Sequence, residues 1–192
     1  MSRIQPYINL EGIELVTERR KKRIEGYMRA EDKARCLAAG LLLRQVCGVT
    51  DDSQIFYGSN GKPYLKDNRF YFNISHSGDY AVLATADREV GVDVEKTLPY
   101  PQAVADRCFT PAEREWMDGS ADSFYRIWTA KESAVKALGL TLSPGAFCVL
   151  PLDSSARHIL GKTLFFDWIS YDGHIICRAI EGKDEKTEVV AV

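Results

Sequence analysis

The stretch that decides the fold is residues 70–96, FYFNISHSGDYAVLATADREVGVDVEK. Apolar and polar residues alternate over residues 70–75, residues 80–86 form an apolar run, and valines alternate with other residues over 90–95. Because the side chains of a β-strand point alternately to its two faces, this pattern predicts three strands, of which the middle one is buried. Short polar turns separate the three segments, so we expect an antiparallel meander.

Helical periodicity lies on both sides of these strands. From Ala30 to Val46 apolar residues recur every three or four positions, and Gly48 is a typical helix stop. The same spacing predicts a second helix at Ile127–Leu138, ended by Gly139. Between them, the segment Thr110-Pro111-Ala112-Glu113 is typical of a helix start, with a threonine N-cap, a proline in the first turn and a glutamate that completes a capping box.

Shorter patterns complete the predicted secondary structure. We expect strands at residues 7–16, 163–170 and 174–180, and a last strand at residues 188–192. Glycine, proline and asparagine predict a loop at residues 58–68.

A proline-bearing link, Thr97-Leu98-Pro99-Tyr100-Pro101, divides the chain into an N-terminal half, residues 1–97, and a C-terminal half, residues 98–192. In each half helical patterns come before strands, which suggests two halves of similar element order.

Length and composition limit the class of protein. The 192 residues correspond to one domain or two small halves that share a core, and 45% hydrophobic with 27% charged residues argues against disorder and coiled coil. The formal net charge of −2 gives no overall attraction to nucleic acid. No apolar run reaches the ~18 residues that cross a bilayer, and residues 1–16 lack a signal core, so we expect a cytoplasmic protein without membrane or nucleic-acid partners.

The cysteines are odd in number, widely spaced and without a C-x-x-C pair, which predicts reduced, buried thiols rather than disulfides or a zinc site. They are Cys36, Cys47, Cys108, Cys148 and Cys177.

Two carboxylates alternate with the valines of the third strand. Asp93 and Glu95 are two residues apart, so they project from the same face, where they repel each other unless a cation lies between them. Mg²⁺ prefers oxygen ligands and is often bound by one or two carboxylates together with substrate phosphate. The alternative is a solvated strand face, because alternation is also the usual pattern of half-exposed strands.

The second helix carries a polar stripe. At 3.6 residues per turn, Trp128, Glu132 and Lys136 lie one above another. Glu132 could complete a three-carboxylate magnesium site with Asp93 and Glu95, and Lys136 could hold a phosphate oxygen. The other interpretation is a surface Glu–Lys pair worth about 0.3 kcal/mol.

Three further segments have the composition of anion-binding sites. Residues 75–78, Ser-His-Ser-Gly, offer hydroxyls, an imidazole and a glycine at a strand end, and Gly61-Lys62-Pro63 holds a lysine in a turn. Residues 19–23, RRKKR, form a basic run. Each also has a plainer explanation, respectively a polar turn, a common loop and a solvated helix face. The chain has neither a G-x-S-x-G elbow nor a complete P-loop, which argues against a serine hydrolase and a P-loop nucleotidase.

Taken in order, GKP, FNISHSG, GVDVEK, FTPAE and WTAKESAVKALG resemble the motifs of the 4′-phosphopantetheinyl transferase superfamily, in particular the surfactin-synthetase-activating (Sfp-like) type. The resemblance extends from about Ala30 to Leu142. It implies an α+β pseudo-dimer of two similar α/β halves, each a helix packed on a mainly antiparallel sheet, with coenzyme A in the cleft between them.

The resemblance also implies a reaction. The 4′-phosphopantetheine arm of coenzyme A is transferred to a serine of an apo acyl or peptidyl carrier protein, with Mg²⁺ as cofactor, and adenosine 3′,5′-bisphosphate is released. A non-catalytic module of the same fold that binds carrier protein or coenzyme A is the alternative, and an unrelated Mg²⁺-dependent phosphohydrolase is a third possibility. Because both halves belong to one chain, we expect a monomer.

Individual residues receive roles from the same resemblance. Asp93, Glu95 and Glu132 match the Mg²⁺ ligands. Coenzyme A contacts are expected from Lys62, Ser75, His76, Lys136, Arg35, Arg20 and Arg23. Glu132 is the first candidate for the base that deprotonates the carrier serine, and Glu113 of FTPAE is the second. Lys136 is expected to stabilise the charge that accumulates on the leaving phosphate.

Overall fold

The computed structural model describes residues 1–153 and 156–182. The strands are β1 (Ser2–Arg3), β2 (Ile55–Tyr57), β3 (Pro63–Leu65), β4 (Tyr71–Ser77), β5 (Tyr80–Ala86), β6 (Val90–Lys96), β7 (Arg157–Ile159), β8 (Lys162–Tyr171) and β9 (His174–Glu181). The α-helices are α1 (Glu18–Glu25), α2 (Ala30–Cys47), α3 (Gln102–Cys108), α4 (Pro111–Met117) and α5 (Ala121–Ala137). The expected strand at residues 188–192 lies outside the described residues.

The N-terminal lobe, formed by α1, α2 and β1–β5, is built on a three-stranded antiparallel sheet. The strand order is β1-β5-β4, and in the β4–β5 hairpin Tyr71 pairs with Ala86 and Ser77 with Tyr80. α2 packs on this sheet, and its alanines, including the fully buried Ala38, permit a close approach. The hairpin confirms the first two strands of the predicted meander.

The C-terminal lobe, formed by β6–β9 and α3–α5, repeats this plan. Its sheet has the strand order β6-β9-β8-β7 with antiparallel pairing throughout. α5 packs against β6 and β9, and Ile127, Ala130 and Ala134 are fully buried in a core that includes Phe166 and Cys177. Each lobe is thus a helix on an antiparallel sheet, which confirms the predicted α+β pseudo-dimer.

The predicted meander is wrong in its third strand. β6 pairs with β9, with Val94 opposite Ile176, and not with β5. Local alternation cannot identify this partner, because β9 lies far downstream in the chain. β4 and β6 are consequently the neighbouring edges of two sheets. The division between residues 97 and 98 stays a prediction, although the pairing places β6 in the C-terminal sheet.

The strand predicted at residues 7–16 is also wrong. Short 3₁₀ turns form at Gln5–Tyr7 and Ile13–Leu15. Pro6 lies within the first turn, and Gly12 has a φ of +85°, a left-handed conformation that interrupts an extended chain.

Helix ends follow the capping signals in the sequence. α2 ends at Gly48, which has a left-handed φ of +64° as expected of a helix stop. α4 begins with the predicted capping box, in which the side chains of Thr110 and Glu113 accept hydrogen bonds from each other's backbone N–H. α5 begins at Ala121, earlier than its apolar pattern predicted, because Ser120 is its N-cap.

Three smaller findings complete the fold. Residues 58–68, predicted as a loop, contain β3, which pairs with β2 in a short hairpin. All five cysteines are free, and the burial prediction is wrong for Cys108, which is partly exposed, and Cys148, which is exposed. Among the described residues, no helix has the length and apolarity needed to cross a membrane.

Candidate active site

A cavity of about 500 Å³ opens between the two lobes, where β4 and β6 lie side by side. Its walls come from α1, α2 and β2–β4 on one side and from β6 and α5 on the other. The charged and polar side chains that line it are Arg20, Arg23, Asn73, Ser75, His76, Asp93, Glu95, Trp128, Glu132 and Lys136.

Asp93 is the most enclosed acid of this cavity, with 3% of its surface exposed. Its Oδ1 accepts a hydrogen bond from Ser75 Oγ at 2.8 Å and forms an ion pair with Lys136 Nζ at 2.5 Å. Oδ2 is buried and has no hydrogen-bond partner within the described part of the chain. Burial raises the pKa of Asp93, although the charge of Lys136 opposes the shift. A buried carboxylate oxygen without a partner is costly unless a ligand supplies a cation or a donor.

Glu95 and Glu132 complete the acidic wall of the cavity. Glu95 accepts hydrogen bonds from Ser77 Oγ at 2.6 Å and from Trp128 Nε1 at 3.3 Å. Burial raises the pKa of both glutamates, and the charge of Asp93 raises each of them further. Because three acids with raised pKa share one cavity, the site favours binding of a cation or a proton.

The three acids are not arranged as a complete set of ligands around one metal ion. Over residues 1–153 and 156–182, no three acidic, histidine or cysteine side chains are positioned to hold a metal ion together. Asp93 contacts Lys136, and Glu95 is hydrogen-bonded to Ser77 and Trp128. The donors are nevertheless all carboxylate oxygens, and Oδ2 of Asp93 has no partner among the described residues. This set of residues fits a hard cation such as Mg²⁺.

The remaining charged groups of the lining are basic. Lys136, on α5, also donates a hydrogen bond to Ser75 Oγ at 3.2 Å, and Arg20 and Arg23 reach the cavity from α1. Burial lowers the pKa of His76, so its imidazole is neutral near pH 7 and can donate a hydrogen bond without adding charge. A cavity that carries carboxylates together with lysine and arginine side chains can hold a diphosphate with its cation.

Two family models together match most of the chain. Residues 89–189 match the model of the 4′-phosphopantetheinyl transferase superfamily, and residues 9–88 match the model of the N-terminal part of 4′-phosphopantetheinyl transferases. The chain belongs to the 4′-phosphopantetheinyl transferase superfamily. The junction of the two matches lies immediately before β6, the strand at which the structure passes from one sheet to the other.

Three relatives show the extent of the similarity. A 4′-phosphopantetheinyl transferase of Bacillus subtilis is 31% identical over 180 residues, which covers 88% of this chain and 73% of the relative. The 4′-phosphopantetheinyl transferase Sfp of Bacillus subtilis strain 168 is 32% identical over 157 residues, with 76% and 67% covered. The L-aminoadipate-semialdehyde dehydrogenase-phosphopantetheinyl transferase of Xenopus laevis is 38% identical over 151 residues, or 64% of this chain and 49% of the frog protein.

Lys62, which the phosphopantetheinyl transferase motif GKP assigns to coenzyme A, does not line the described cavity. Its buried ammonium lies 2.5 Å from Glu89 Oε2, 3.1 Å from the carbonyl of Val90 and 2.7 Å from the carbonyl of Ala137. All three N–H donors of the lysine therefore have partners within the protein. Of the three residues of the GKP motif, Pro63 alone is part of the described lining of the cavity.

Glu113 is the second candidate for the base that deprotonates the carrier serine. Its side chain is fully buried and does not line the cavity. Its carboxylate accepts hydrogen bonds from the N–H of Thr110 at 2.7 Å and the N–H of Val149 at 2.9 Å. It forms an ion pair at 3.0 Å with Lys131, which is itself fully buried. These contacts give Glu113 a structural role in joining α4 to α5.

Arg35, another expected coenzyme A contact, is likewise outside the cavity lining. Its guanidinium forms an ion pair with Asp32 at 2.5 Å and donates to the carbonyl of Gly78 at 2.9 Å. It therefore holds α2 against the turn between β4 and β5.

Sequence reasoning did not predict that Asn73 and Ser77 of β4 connect the two lobes of the phosphopantetheinyl transferase fold, although it had named Ser77 as part of a possible anion-binding segment. Asn73 Oδ1 accepts a hydrogen bond from the N–H of Val92 at 3.0 Å, and Ser77 donates to Glu95. The available signal was the two-residue spacing of Asn73, Ser75 and Ser77, which places all three on one face of the strand.

Proposed function

We propose that this chain transfers the 4′-phosphopantetheine group of coenzyme A to a serine of an apo acyl or peptidyl carrier protein, in a Mg²⁺-dependent reaction that releases adenosine 3′,5′-bisphosphate. The observation that carries the proposal is the cavity between the lobes, in which three carboxylates lie beside Lys136 and two arginines. Relatives named as phosphopantetheinyl transferases support the reaction class.

The residues of the cavity divide into two roles. Asp93, Glu95 and Glu132 would hold Mg²⁺, which when bound neutralises charge on the diphosphate of coenzyme A. Lys136 lies beside the acids and would stabilise negative charge on the leaving phosphate, while His76 would donate a hydrogen bond to a phosphate oxygen. Such positioning and charge stabilisation are the main contributions that proteins make to phosphoryl transfer.

Glu132 is the group that we assign to accept the proton of the carrier serine. A serine hydroxyl attacks phosphorus as it loses its proton, so a base must lie in the cavity. Glu132 lines the cavity, and in the absence of a bound cation burial and the charge of Asp93 raise its pKa, while the charge of Lys136 opposes the shift. Within the described residues its carboxylate makes no hydrogen bond or ion pair. Glu113 is less suitable because its buried oxygens are already bonded.

The proposal is tested with coenzyme A, Mg²⁺ and a panel of apo carrier proteins, with modification followed by intact mass. Wild-type protein is expected to modify at least one carrier, and EDTA is expected to abolish the reaction. Asp93→Asn and Glu132→Gln should each lower the rate by about 10²–10³-fold, the scale of one lost stabilising group. The matched control is Glu115→Gln, an exposed glutamate of α4 that should leave the rate unchanged.

Three results would contradict the proposal. A wild-type rate in Asp93→Asn would reject the metal assignment. Coenzyme A binding without transfer to any carrier of the panel would indicate the non-catalytic module. Release of adenosine 3′,5′-bisphosphate in the absence of any carrier protein would indicate a phosphohydrolase.

We also infer that the protein acts as a cytoplasmic monomer. Both lobes that line the cavity belong to the same chain, and all five cysteines are free thiols. Light scattering of the purified protein is expected to give the mass of one chain, and a stable dimer would contradict this inference.

A further inference from the structure

The two acids of β6 are each held by a serine of the other lobe. Ser75 Oγ donates to Asp93 Oδ1 at 2.8 Å, and Ser77 Oγ donates to Glu95 Oε2 at 2.6 Å. The two-residue spacing of the serines on β4 matches the two-residue spacing of the acids on β6. Because β4 and β6 belong to different sheets, these hydrogen bonds are contacts between the lobes.

The hydroxyl of Ser77 is itself oriented. The backbone N–H of Lys96 donates to Ser77 Oγ at 3.4 Å, which leaves the hydroxyl proton for Glu95. On the other side, Trp128 Nε1 donates to Glu95 Oε1 at 3.3 Å. Glu95 is therefore fixed through both oxygens, one by each lobe. Each oxygen keeps a further lone pair, so these hydrogen bonds leave the carboxylate able to bind a cation.

We propose that Ser77 is a positioning residue that holds Glu95 in the orientation required to bind Mg²⁺, so that metal affinity depends on a hydrogen bond between the lobes. This inference rests on the proposed function, because it concerns the same metal site. Ser77 is absent from the described lining of the cavity, so it acts through Glu95 rather than by touching substrate. Loss of a group that orients a ligating side chain typically costs 10–100-fold in metal affinity or activity.

Two variants of Ser77 and one matched control test this assignment in the full chain. Ser77→Ala removes the donor, and Ser77→Thr retains a hydroxyl. Lys96→Met removes a different contact between the lobes, the exposed ion pair of Lys96 with Asp79 at 2.7 Å, and leaves the backbone N–H of Lys96 in place. Mn²⁺ affinity is measured by calorimetric titration without coenzyme A, coenzyme A affinity is measured in EDTA, and folding is checked by thermal unfolding.

We expect Ser77→Ala to weaken Mn²⁺ binding by about 10-fold or more and to raise the KM for Mg²⁺ in the transfer assay. At saturating Mg²⁺ its kcat should approach that of the wild type, and its coenzyme A affinity in EDTA should be unchanged. Ser77→Thr should restore metal affinity, and Lys96→Met should bind Mn²⁺ like the wild type.

Either of two results would overturn the role of Ser77 while leaving the proposed function intact. One is an unchanged Mn²⁺ affinity in Ser77→Ala, and the other is an equal loss in Lys96→Met, which would show a general loosening of the contact between the lobes. Failure of the wild type itself to bind Mn²⁺ and to modify any carrier would instead overturn the proposed function together with this inference.

Discussion

The acidic side chains of the cavity lie in surroundings that disfavour their ionised form. Glu132 is the clearest case, because burial and the neighbouring charge of Asp93 both raise its pKa. We expect Glu132→Gln to raise the Tm of the ligand-free protein at about pH 7 by about 2–4 °C, the shift that 1 kcal/mol gives in a domain of this size. The same variant should lose transfer activity, so stability and activity change in opposite directions.

The pH dependence of this effect has a defined sign. A carboxyl whose pKa is raised by folding binds a proton more readily in the folded state, so its contribution to stability increases as the pH falls through the folded pKa. The stability advantage of Glu132→Gln should therefore shrink as the pH falls from about 7 towards about 4.3, the ordinary pKa of glutamate. Calorimetric Tm values over this range check the prediction, with the exposed Glu115→Gln as a control that shows no such trend. A variant less stable than the wild type at pH 7 would contradict it.

Among the elements, α5 lies directly on the backbone of β6 at Gly91. A Cβ at this position would lie 2.0 Å from the carbonyl oxygen of Ser133 and 2.4 Å from the nitrogen of Ala137. The glycine of GVDVE therefore lets the helix that carries Glu132 approach the strand that carries Asp93. We expect Gly91→Ala to destabilise the protein by about 3 kcal/mol, because neither backbone can yield easily.

The substitution should also lower the transfer rate per folded molecule, since the acids of α5 and β6 move apart. Denaturant unfolding and single-turnover transfer measure the two effects separately. Gly26→Ala is the control, because a Cβ at Gly26 would make only an ordinary contact at 3.5 Å. A Gly91→Ala protein with wild-type stability would show that the packing of α5 on β6 does not depend on the close approach at Gly91.

A second prediction at this scale concerns the buried pair Glu113–Lys131, which joins α4 to α5. Lys131→Met should cost about 3–5 kcal/mol, because it leaves an uncompensated buried carboxylate. The double variant Glu113→Gln with Lys131→Met should recover much of this stability and retain near wild-type kcat per folded molecule. Chemical denaturation and carrier modification check both values, and a fully folded but inactive double variant would restore Glu113 as a candidate base.

The sequence predicted elements wherever the information is local. α2 and the β4–β5 hairpin follow from periodicity and from stop signals within a few residues, and both are confirmed. The partner of β6 depends on burial against a strand far downstream, which alternation cannot reveal. At the site, spacing singled out the acids of β6 and α5. The spacing could not show that Lys62 and Glu113 form ion pairs within the protein, because a motif identifies a residue but not its neighbours in space.

Across the whole molecule, one buried lysine connects segments that are distant in sequence. Lys62 stands before β3 in the N-terminal lobe, Glu89 lies in the turn that leads to β6, and Ala137 is the last residue of α5. The ammonium also lies at the C-terminal end of α5, where a positive charge is favourable. Burial lowers the pKa of Lys62, whereas its ion pair with Glu89 favours the charged form.

We expect Lys62→Met to lower the free energy of unfolding by about 2 kcal/mol, less than for a fully buried pair because the Glu89 side chain is 28% exposed. The KM for coenzyme A should stay within about twofold of the wild type, because Lys62 has its partners within the protein. Denaturant unfolding and steady-state kinetics separate the two quantities. Lys66→Met, an exposed lysine of the same segment, is the matched control. A large rise in KM for coenzyme A with unchanged stability would mean instead that Lys62 contacts the cofactor, as the GKP motif implied.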